Sequence, residues 1–370
     1  MGISPRSSLV PIESLKVAAY KIPTDYPEAD GTIAWGSTTI VVVEPTAGGK
    51  TGLGYSYADT ATFRFVHDVL EPVVVGKDAF ATNEVWESMA KAVRNHGRPG
   101  VASMAISAVD NAVWDLKAKL LDLSVARLLG PVREGITVYG SGGFTSYPVP
   151  VLQKQLAGWV SEGIGQVKMK VGTHPDEDPK RVRAARDAIG PDAGLFVDAN
   201  GAYTRKQAIH FAELFAELNV GWFEEPVSSD DLSGLRLIRD RAPSCMNITA
   251  GEYGYDLHYF RRMLEAGAVD VLQADGTRCG GITGFMHASA VCESFGLPFS
   301  AHTAPSIHAH ACCASIPAIN LEYFHDHVRI EHMLFNGTLS PRKGVLYPDP
   351  DRPGFGLELR RKDADRYAIT

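Results

Sequence analysis

The sequence has 370 residues, of which 45% are hydrophobic and 21% are charged, and this composition excludes a disordered or collagen-like chain. Its 36 basic and 43 acidic residues give a net charge of −7 without any run of lysine or arginine, which disfavours nucleic acid and membrane surfaces and favours a small metabolite as partner. No apolar run is long enough to cross a membrane. No secretory signal is visible, and the five cysteines form no C-x-x-C pair. A cytoplasmic enzyme is therefore expected.

The first 130 residues are predicted to form an α+β unit. Every residue from Thr38 to Val43 is β-branched, which is typical of a strand, whereas Pro23 to Thr32 is rich in Pro, Asp, Glu and Gly and is predicted to be a loop. Gly130-Pro131 is predicted to end this unit. Strands are predicted over 15–20, 38–43 and 52–56, and helices over 60–70, 82–94 and 102–121.

A different rhythm follows, in which short apolar runs alternate with helical patterns. At least seven such units are spaced by roughly 25 to 30 residues, which favours parallel strands in a βα barrel over an open sheet. The barrel is predicted over 131–345, and 346–370 is predicted to be a tail that leaves it. The predicted strands span 136–139, 166–171, 195–198, 221–224, 248–252, 269–275 and 298–302.

Nearly every predicted barrel strand ends in an ionisable residue. In a parallel βα barrel these ends form one mouth, where catalytic groups lie. A single acid at a strand end is as readily a structural residue, such as a helix cap or a turn residue, as a functional one. Six ionisable strand ends at the spacing of the barrel units are hard to explain in that way. The residues are Lys168, Lys170, Asp198, Asn200, Glu224, Glu252, Asp275 and His302.

Three of these acids, Asp198, Glu224 and Glu252, end successive strands. Three hard oxygen ligands at one mouth suit Mg²⁺, and a bound cation would relieve the repulsion between them. Glu225 adjoins Glu224, but neighbouring strand residues point to opposite faces, so only one of the two can face the mouth. The spacing alone leaves that choice open.

Two candidate bases accompany the acids. Lys168 and Lys170 point the same way along their strand, and mutual repulsion is expected to lower the pKa of a lysine toward the range of a working base. His302 and Asp275 end neighbouring strands, so the carboxylate is expected to fix the tautomer of the imidazole. Taken alone, His302 fits a histidine packed in the core better than a catalytic one.

The ordered set of motifs resembles the mandelate racemase subgroup of the enolase superfamily over nearly the whole chain. The resemblance implies a modified (β/α)₇β TIM barrel beneath an N-terminal α+β capping domain that the C-terminal tail completes. It also implies homo-oligomers, from dimers to octamers. The motifs are VKMKVG (167–172), VDAN (197–200), WFEEP (222–226), AGE (250–252), QADGTRCGGITG (273–284), AHT (301–303), the helix at 105–119 and PGFGL (353–357).

The resemblance also implies roles for single residues. It implies that Asp198, Glu224 and Glu252 bind Mg²⁺, which chooses Glu224 over Glu225. Lys170 is implied to be the base on one face of the substrate, with Lys168 tuning it and contacting the substrate carboxylate, and His302, oriented by Asp275, is implied to act on the other face. Glu322, placed after the last strand, is implied to hydrogen-bond the substrate carboxylate, while Ser141, Asn200 and Arg278 are further candidates for substrate binding. The loops at 22–32 and 54–58 are implied to set specificity.

These residues predict abstraction of the proton α to a carboxylate, with Mg²⁺ and hydrogen-bond donors stabilising an enediolate, a mechanism described generally for enolase-superfamily sites. The first hypothesis is a dehydratase that expels the β-hydroxyl of an aldonate or aldarate and yields a 2-keto-3-deoxy acid. A racemase or epimerase of a 2-hydroxy acid is the alternative. A cycloisomerase is less favoured, because the resemblance gives that branch lysines on both faces, and a non-catalytic sugar-acid binder is disfavoured by the full set of ligands and bases. The absence of Lys and Arg from both specificity loops favours a monoacid.

Overall fold

The computed structural model describes residues 9–369. Residues 1–8 and 370, which the sequence analysis placed at the two ends of the capping domain and tail, lie outside the described residues. Within 9–369, no helix combines the length and the apolarity that crossing a membrane requires.

The N-terminal region begins with an antiparallel sheet built on one long hairpin. β1 pairs with β2 from Ser14↔Thr46 to Pro23↔Ser37, loses register, and pairs again at Glu28↔Trp35. The predicted loop over 23–32 is therefore wrong for most of its length, since the strand continues through it to Ala29. β1 is an edge strand, and an edge accepts proline because the missing N–H faces no partner. The strands are β1 (Ser14–Ala29), β2 (Ala34–Ala47), β3 (Lys50–Thr51) and β4 (Gly54–Tyr57).

Helices cover one face of this sheet. The long helix α4 is mostly buried, and it packs so closely on β4 that a Cβ at Gly54 would lie 2.2 Å from the backbone nitrogen of Ala112. The predicted helix over 60–70 continues to Val74 through a π-helical turn at Val66–Leu70. The helices are α1 (Thr60–Phe65), α2 (Glu71–Val74), α3 (Thr82–Ala92), α4 (Val101–Leu120) and α5 (Val125–Leu129).

Eight parallel strands then close into a barrel, because the last of them pairs with the first. Seven helices connect the strands, so the predicted (β/α)₇β architecture is confirmed. The strands are β5 (Ile136–Gly142), β6 (Gln166–Lys170), β7 (Gly194–Asp198), β8 (Val220–Glu224), β9 (Asn247–Ala250), β10 (Val271–Ala274), β11 (Phe299–Ala301) and β12 (Ala318–Phe324). The connecting helices are α6 (Val149–Ser161), α7 (Asp178–Ile189), α8 (Arg205–Ala216), α9 (Leu232–Arg241), α10 (Leu257–Glu265), α11 (Gly281–Ser294) and α12 (Pro305–Ala314).

The barrel interior is filled by an aromatic cluster. The rings of Phe196 and Trp222 stack with their centroids 5.0 Å apart, and Tyr139 packs edge-on against Phe196. Val271 completes this buried cluster. The barrel is thus a packed core, and polar groups can meet only at its mouth.

The chain after the barrel returns to the capping region. The backbone N–H of Phe355 donates to Asp115 on α4 at 2.6 Å, Arg361 pairs with Glu44 on β2 at 2.6 Å, and the N–H of Ile369 donates to the carbonyl of Ala19 at 3.0 Å. The boundaries predicted after residues 130 and 345 stay a prediction. The remaining elements are α13 (His325–Leu334), β13 (Phe335–Asn336), β14 (Val345–Leu346), β15 (Glu358–Leu359), α14 (Arg361–Ala364) and a 3₁₀ turn (Asp365–Tyr367).

Buried polar side chains of α4 join the capping region to the start of α11. Asp110 accepts hydrogen bonds from the N–H and the hydroxyl of Thr283 at 2.9 and 2.8 Å. The side chain of Asn111 accepts from the N–H of Ile282 and donates to the carbonyl of Gly276, both at 3.0 Å. Burial raises the pKa of Asp110 to about 7, and the hydrogen bonds from Thr283 oppose this rise only in part. The joint is therefore most stable when Asp110 is protonated.

This joint predicts a pH dependence of stability. Because the folded-state pKa of Asp110 lies above its ordinary value of 3.8, the native state binds more protons between these two values, and stability is lost as pH rises through about 7. Replacing Asp110→Asn removes that titration. We expect the melting temperature of the parent protein to fall relative to the variant between about pH 4 and about pH 7. The exposed Asp187→Asn on α7 is the matched control, and a difference for Asp110→Asn that is independent of pH would contradict the prediction.

Candidate active site

The structure brings most of the predicted site residues to the carboxyl end of the barrel. Lys168 and Lys170 lie in β6, Asp198 ends β7 and Glu224 ends β8, so their side chains project from neighbouring strands in register. Asp275 directly follows β10 and His302 directly follows β11. The predicted convergence on one mouth follows from the parallel strand order.

Asp198, Glu224 and Glu252 form a buried carboxylate triad. Each offers an oxygen, and these oxygens lie within 4.8 Å of one another. Burial, followed by the charge of Asp198, raises the pKa of Glu224 to about 8. Glu225 lies outside this group, with a backbone φ of +39° and a buried Oε1 that has no hydrogen-bond partner among residues 9–369. The geometry thus separates the two neighbouring glutamates.

The donor set of the triad fits Mg²⁺. All three ligands are hard oxygens, and the triad gathers three acids where burial makes negative charge costly. Two neighbouring contacts orient the ligands: Trp222 Nε1 donates to Glu224 Oε2 at 3.0 Å, and Asp198 Oδ1 accepts from the N–H of Asn200 at 2.9 Å. Such supporting hydrogen bonds are typical of metal sites.

The two lysines pair with acids of the same mouth. Lys168 Nζ lies 2.7 Å from Glu224 Oε1 and 2.8 Å from Glu322 Oε1, and it is fully buried. Lys170 Nζ lies 2.5 Å from Asp198 Oδ2. Burial lowers the pKa of each lysine, but the adjacent carboxylates, Glu224 for Lys168 and Asp198 for Lys170, outweigh it and raise the pKa. The expectation that repulsion between the two lysines lowers their pKa is therefore wrong, because the attraction of the adjacent carboxylates has the larger effect.

His302 and Asp275 form the predicted pair. His302 Nδ1 lies 2.8 Å from Asp275 Oδ2, and Nε2 lies 3.1 Å from Glu252 Oε2 and 3.6 Å from Glu322 Oε2. Burial lowers the pKa of His302, but Glu252 first and then Glu322 and Asp275 raise it to about 10. Because Asp275 engages Nδ1, Nε2 is the ring nitrogen that faces the other charged groups.

Glu322 lies within β12, not after it as the sequence analysis placed it. It stands between two cations, Lys168 and His302. Burial raises its pKa, but Lys168 first and then His302 lower it to about 2. The two cations thus favour the ionised carboxylate of Glu322, so the predicted bond to a substrate carboxylate would need an added proton.

A cavity of about 360 Å³ opens over these residues, between the barrel mouth and the capping sheet. Of the residues predicted to bind substrate, Asn200 and Arg278 line it. Arg278 is already engaged, since its Nη1 donates to the carbonyl of Glu252 at 3.2 Å and its guanidinium lies over the ring of Tyr253. Ser141 is fully buried, is not among the residues that line the cavity, and pairs in register with Lys168.

Sequence reasoning named the specificity segments but missed some cavity residues. Trp35 and Thr38 line the cavity from β2, outside both named segments, whereas Tyr57 lines it from β4 within the predicted segment at 54–58. His327 on α13 also lines the cavity, with its ring centroid 3.4 Å from that of Tyr57. No local signal marks these residues, because only the docking of capping domain on barrel brings them together. A larger cavity, of about 920 Å³, contains none of the predicted site residues.

Comparison with protein families finds two matches that together span most of the chain. Residues 15–130 match the mandelate racemase / muconate lactonizing enzyme N-terminal domain, and residues 151–364 match the enolase C-terminal domain-like family. Among curated relatives, the 3,6-anhydro-alpha-L-galactonate cycloisomerase of Streptomyces coelicolor is 32% identical, over 97% of this chain and 99% of that protein. The L-talarate/galactarate dehydratase of Salmonella typhimurium is 30% identical, over 94% and 89%.

Solved structures show the same likeness. A mandelate racemase/muconate lactonizing enzyme-like protein from Rubrobacter xylanophilus is 55% identical, with a TM-score of 0.95 over 97% of this chain and 100% of that chain. A racemase from Streptomyces coelicolor, solved with bound magnesium, is 30% identical, with a TM-score of 0.91 over 97% and 100%.

The separation of the two adjacent glutamates predicts different effects on metal binding. Glu224→Gln replaces one charged carboxylate of the triad by a neutral amide. We expect it to weaken Mg²⁺ binding by roughly 100-fold, since mutation of residues that only support the ligands already lowers metal affinity by about 10- to 100-fold. Glu225→Gln, equally buried one residue away but outside the triad, is the comparison variant and should weaken Mg²⁺ binding clearly less than Glu224→Gln does. Titration calorimetry checks both. Weaker binding in Glu225→Gln with affinity retained in Glu224→Gln would reverse the assignment.

Proposed function

The chain belongs to the mandelate racemase/muconate lactonizing enzyme family of the enolase superfamily, and from that premise we propose that it is a Mg²⁺-dependent sugar acid dehydratase. The observation that carries this proposal is the pairing of two proton-transfer groups around one cavity. Lys170 and His302 both line it, and β5 and β12 lie between their strands around the barrel. A substrate carbon held there has a base on one side and an acid on the other.

In the proposed reaction, Lys170 removes the proton α to the substrate carboxylate. It must first lose the proton that its contact with Asp198 favours, and a cation bound by Asp198 would weaken that contact. That proton is far less acidic than a lysine ammonium, so the charge that develops must be stabilised as it forms. Mg²⁺, held by Asp198, Glu224 and Glu252, supplies a Lewis acid when it is bound. Lys168 is fully buried and is not among the residues that line the cavity, so it would add a positive charge from behind Glu224 and Glu322 instead of contacting the substrate carboxylate directly.

His302 completes the proposed elimination. Asp275 holds Nδ1 and leaves Nε2 to give a proton to the departing β-hydroxyl, which leaves as water. The enol that remains becomes a 2-keto-3-deoxy acid. The bond broken is the one between carbon and the β-hydroxyl oxygen, and no oxidant or reductant is needed.

A racemase or epimerase of a 2-hydroxy acid is the second candidate, because the same two groups support it. If no hydroxyl leaves, return of a proton by His302 to the opposite face inverts the α carbon. The relatives include both dehydratases and cycloisomerases, which supports an enzyme whose first step is proton abstraction. The later step is the point at which these activities differ.

The cavity favours a substrate with a single carboxylate. Among the described residues that line it, Lys170 and Arg278 carry the fixed positive charges, and both already face carboxylates, Asp198 and Glu252. The capping side of the cavity is lined by Trp35, Tyr57 and hydroxyl residues of β2. A distal carboxylate placed there would lose its hydration without gaining a cation.

The proposed reaction is tested by proton NMR in D₂O with Mg²⁺ against pooled aldonates, aldarates and simple 2-hydroxy acids. Signals of a 2-keto-3-deoxy acid are expected. Exchange of the α proton without a new carbon skeleton would instead establish racemisation or epimerisation, and a rearranged ring would establish cycloisomerisation. Turnover of none of these acids by the Mg²⁺-loaded protein would overturn the proposal.

Variants of the two proton-transfer groups test their roles. Lys170→Ala and His302→Asn should each lower kcat by at least about 10²-fold, the usual contribution of general acid–base catalysis, while Mg²⁺ still binds. Lys180→Ala, an exposed lysine on α7 that does not line the cavity, is the matched control for a lost lysine. A Lys170→Ala variant that keeps full activity and still exchanges the α proton would remove Lys170 from the mechanism.

Selectivity for a monoacid is a separate prediction. An aldonate should be turned over with a kcat/KM at least about tenfold higher than the aldarate of the same configuration, because the second carboxylate lacks a partner. Ser37→Arg, which places a cation on the capping side of the cavity, should narrow that ratio. Steady-state kinetics with matched pairs of acids provide the measurement. A higher kcat/KM for the diacid would refute the proposed preference for a single carboxylate.

A further inference from the structure

A second group of possible metal ligands lies outside the carboxylate triad, where the β1–β2 hairpin meets the barrel. Asp25 and Glu28 each offer a carboxylate oxygen and His325 offers a ring nitrogen, and the three atoms lie within 4.8 Å of one another. Both acids belong to the stretch of β1 where the pairing with β2 loses register, and His325 is the first residue of α13. The group therefore joins residues that are about 300 positions apart in sequence.

Glu28 is the unusual member of this group. Its side chain is 1% exposed, and its Oε1 is buried without a hydrogen-bond partner among the residues that the structure describes. Its Oε2 accepts from Trp35 Nε1 at 2.9 Å. A buried carboxylate oxygen without a donor is costly, and a cation is a group that removes this cost.

The side chains around this group supply more negative than positive charge. Asp326 lies close enough to raise the pKa of Glu28, which burial raises first, and Asp25 raises it further. The nearby cation Arg329 is engaged elsewhere, with Nη2 2.6 Å from Asp326 Oδ1 and 2.7 Å from the carbonyl oxygen of Pro23. Within the described chain, the ring of His325 is the partner left to Asp25, with Nε2 3.1 Å from both carboxylate oxygens.

We propose that Asp25, Glu28 and His325 form a second metal site, which takes a first-row divalent cation of the Zn²⁺ class and ties the hairpin to the barrel. An imidazole nitrogen with two carboxylate oxygens suits Zn²⁺ better than Mg²⁺, which prefers oxygen ligands alone. Ligand distances of about 2.1 Å in a tetrahedral site place ligand atoms about 3.4 Å apart, which is close to the 3.1 Å between His325 Nε2 and the oxygens of Asp25. Asp25 and His325 are partly exposed, which leaves a path for the ion.

The proposed site is connected to the cavity through residues of the β1–β2 hairpin. Glu28 binds Trp35, which lines the cavity beside the barrel mouth, and Thr38 of the same hairpin donates to Asp326, the neighbour of His325. An ion held here fixes the hairpin against α13 at the edge of the cavity. This inference does not depend on the proposed reaction, because it is tested by metal binding alone.

The test is the number of Zn²⁺ ions bound by the full-length protein in excess Mg²⁺, measured by equilibrium dialysis and metal analysis. We expect His325→Ala and Asp25→Asn each to bind one equivalent fewer than the parent protein. His258→Ala, an exposed histidine on α10, is the matched control and should keep the parent count. Asp25 is exposed, so its replacement keeps the test valid even if His325→Ala is poorly folded.

A second readout separates this site from the triad. Co²⁺ bound to a histidine nitrogen and carboxylates should give visible absorption bands that His325→Ala loses and Glu224→Gln keeps. A Zn²⁺ count that is unchanged in both His325→Ala and Asp25→Asn would overturn the proposal. An equivalent that is lost only in Glu224→Gln would assign all binding to the triad and would overturn it equally.

Discussion

The structure depends on one constraint, which is that several charges buried at the barrel mouth must compensate one another. Lys168 has no exposed surface, and it contacts Glu224 and Glu322 at hydrogen-bonding distance. Lys170 likewise contacts Asp198 at hydrogen-bonding distance. An isolated buried charge would cost several kcal/mol, whereas charges of both signs in contact offset much of that cost. The same arrangement leaves a dense set of acids and bases where a substrate can reach them.

The barrel supplies this arrangement through strand register. Because the strands are parallel and adjacent, residues that end them lie side by side, as Asp198 pairs with Lys170 and with Glu224. The aromatic cluster of Phe196, Trp222 and Tyr139 fills the interior below and supports the charged layer, with Lys168 Nζ 5.3 Å from the centroid of the Tyr139 ring. A packed interior keeps the polar side chains at the mouth and limits their rotamers.

The capping domain decides what reaches that mouth. Buried bonds from α4 to α11 fix it on one side, and contacts from the hairpin to α13 fix it on the other, including the hydrogen bond from Thr38 to Asp326. The cavity lies between these two attachments. Lys170 and His302 thus reach the cavity from the barrel, whereas Trp35 and Tyr57 reach it from the capping sheet, and the relatives of this fold include a dehydratase and a cycloisomerase.

The sequence by itself determined the barrel, an N-terminal α+β unit and the residues at the strand ends, because the alternation of strands and helices and the spacing of acids are local patterns. That this unit caps the barrel came from the family resemblance. It could not determine that the hairpin continues through 23–29, since the pairing of an edge strand there depends on its partner β2. It could not determine the charge states either. Repulsion between Lys168 and Lys170 was evident along one strand, but the acids that reverse its effect come from neighbouring strands. Tertiary structure decided these points because ionisation and edge pairing depend on neighbours that are distant in sequence.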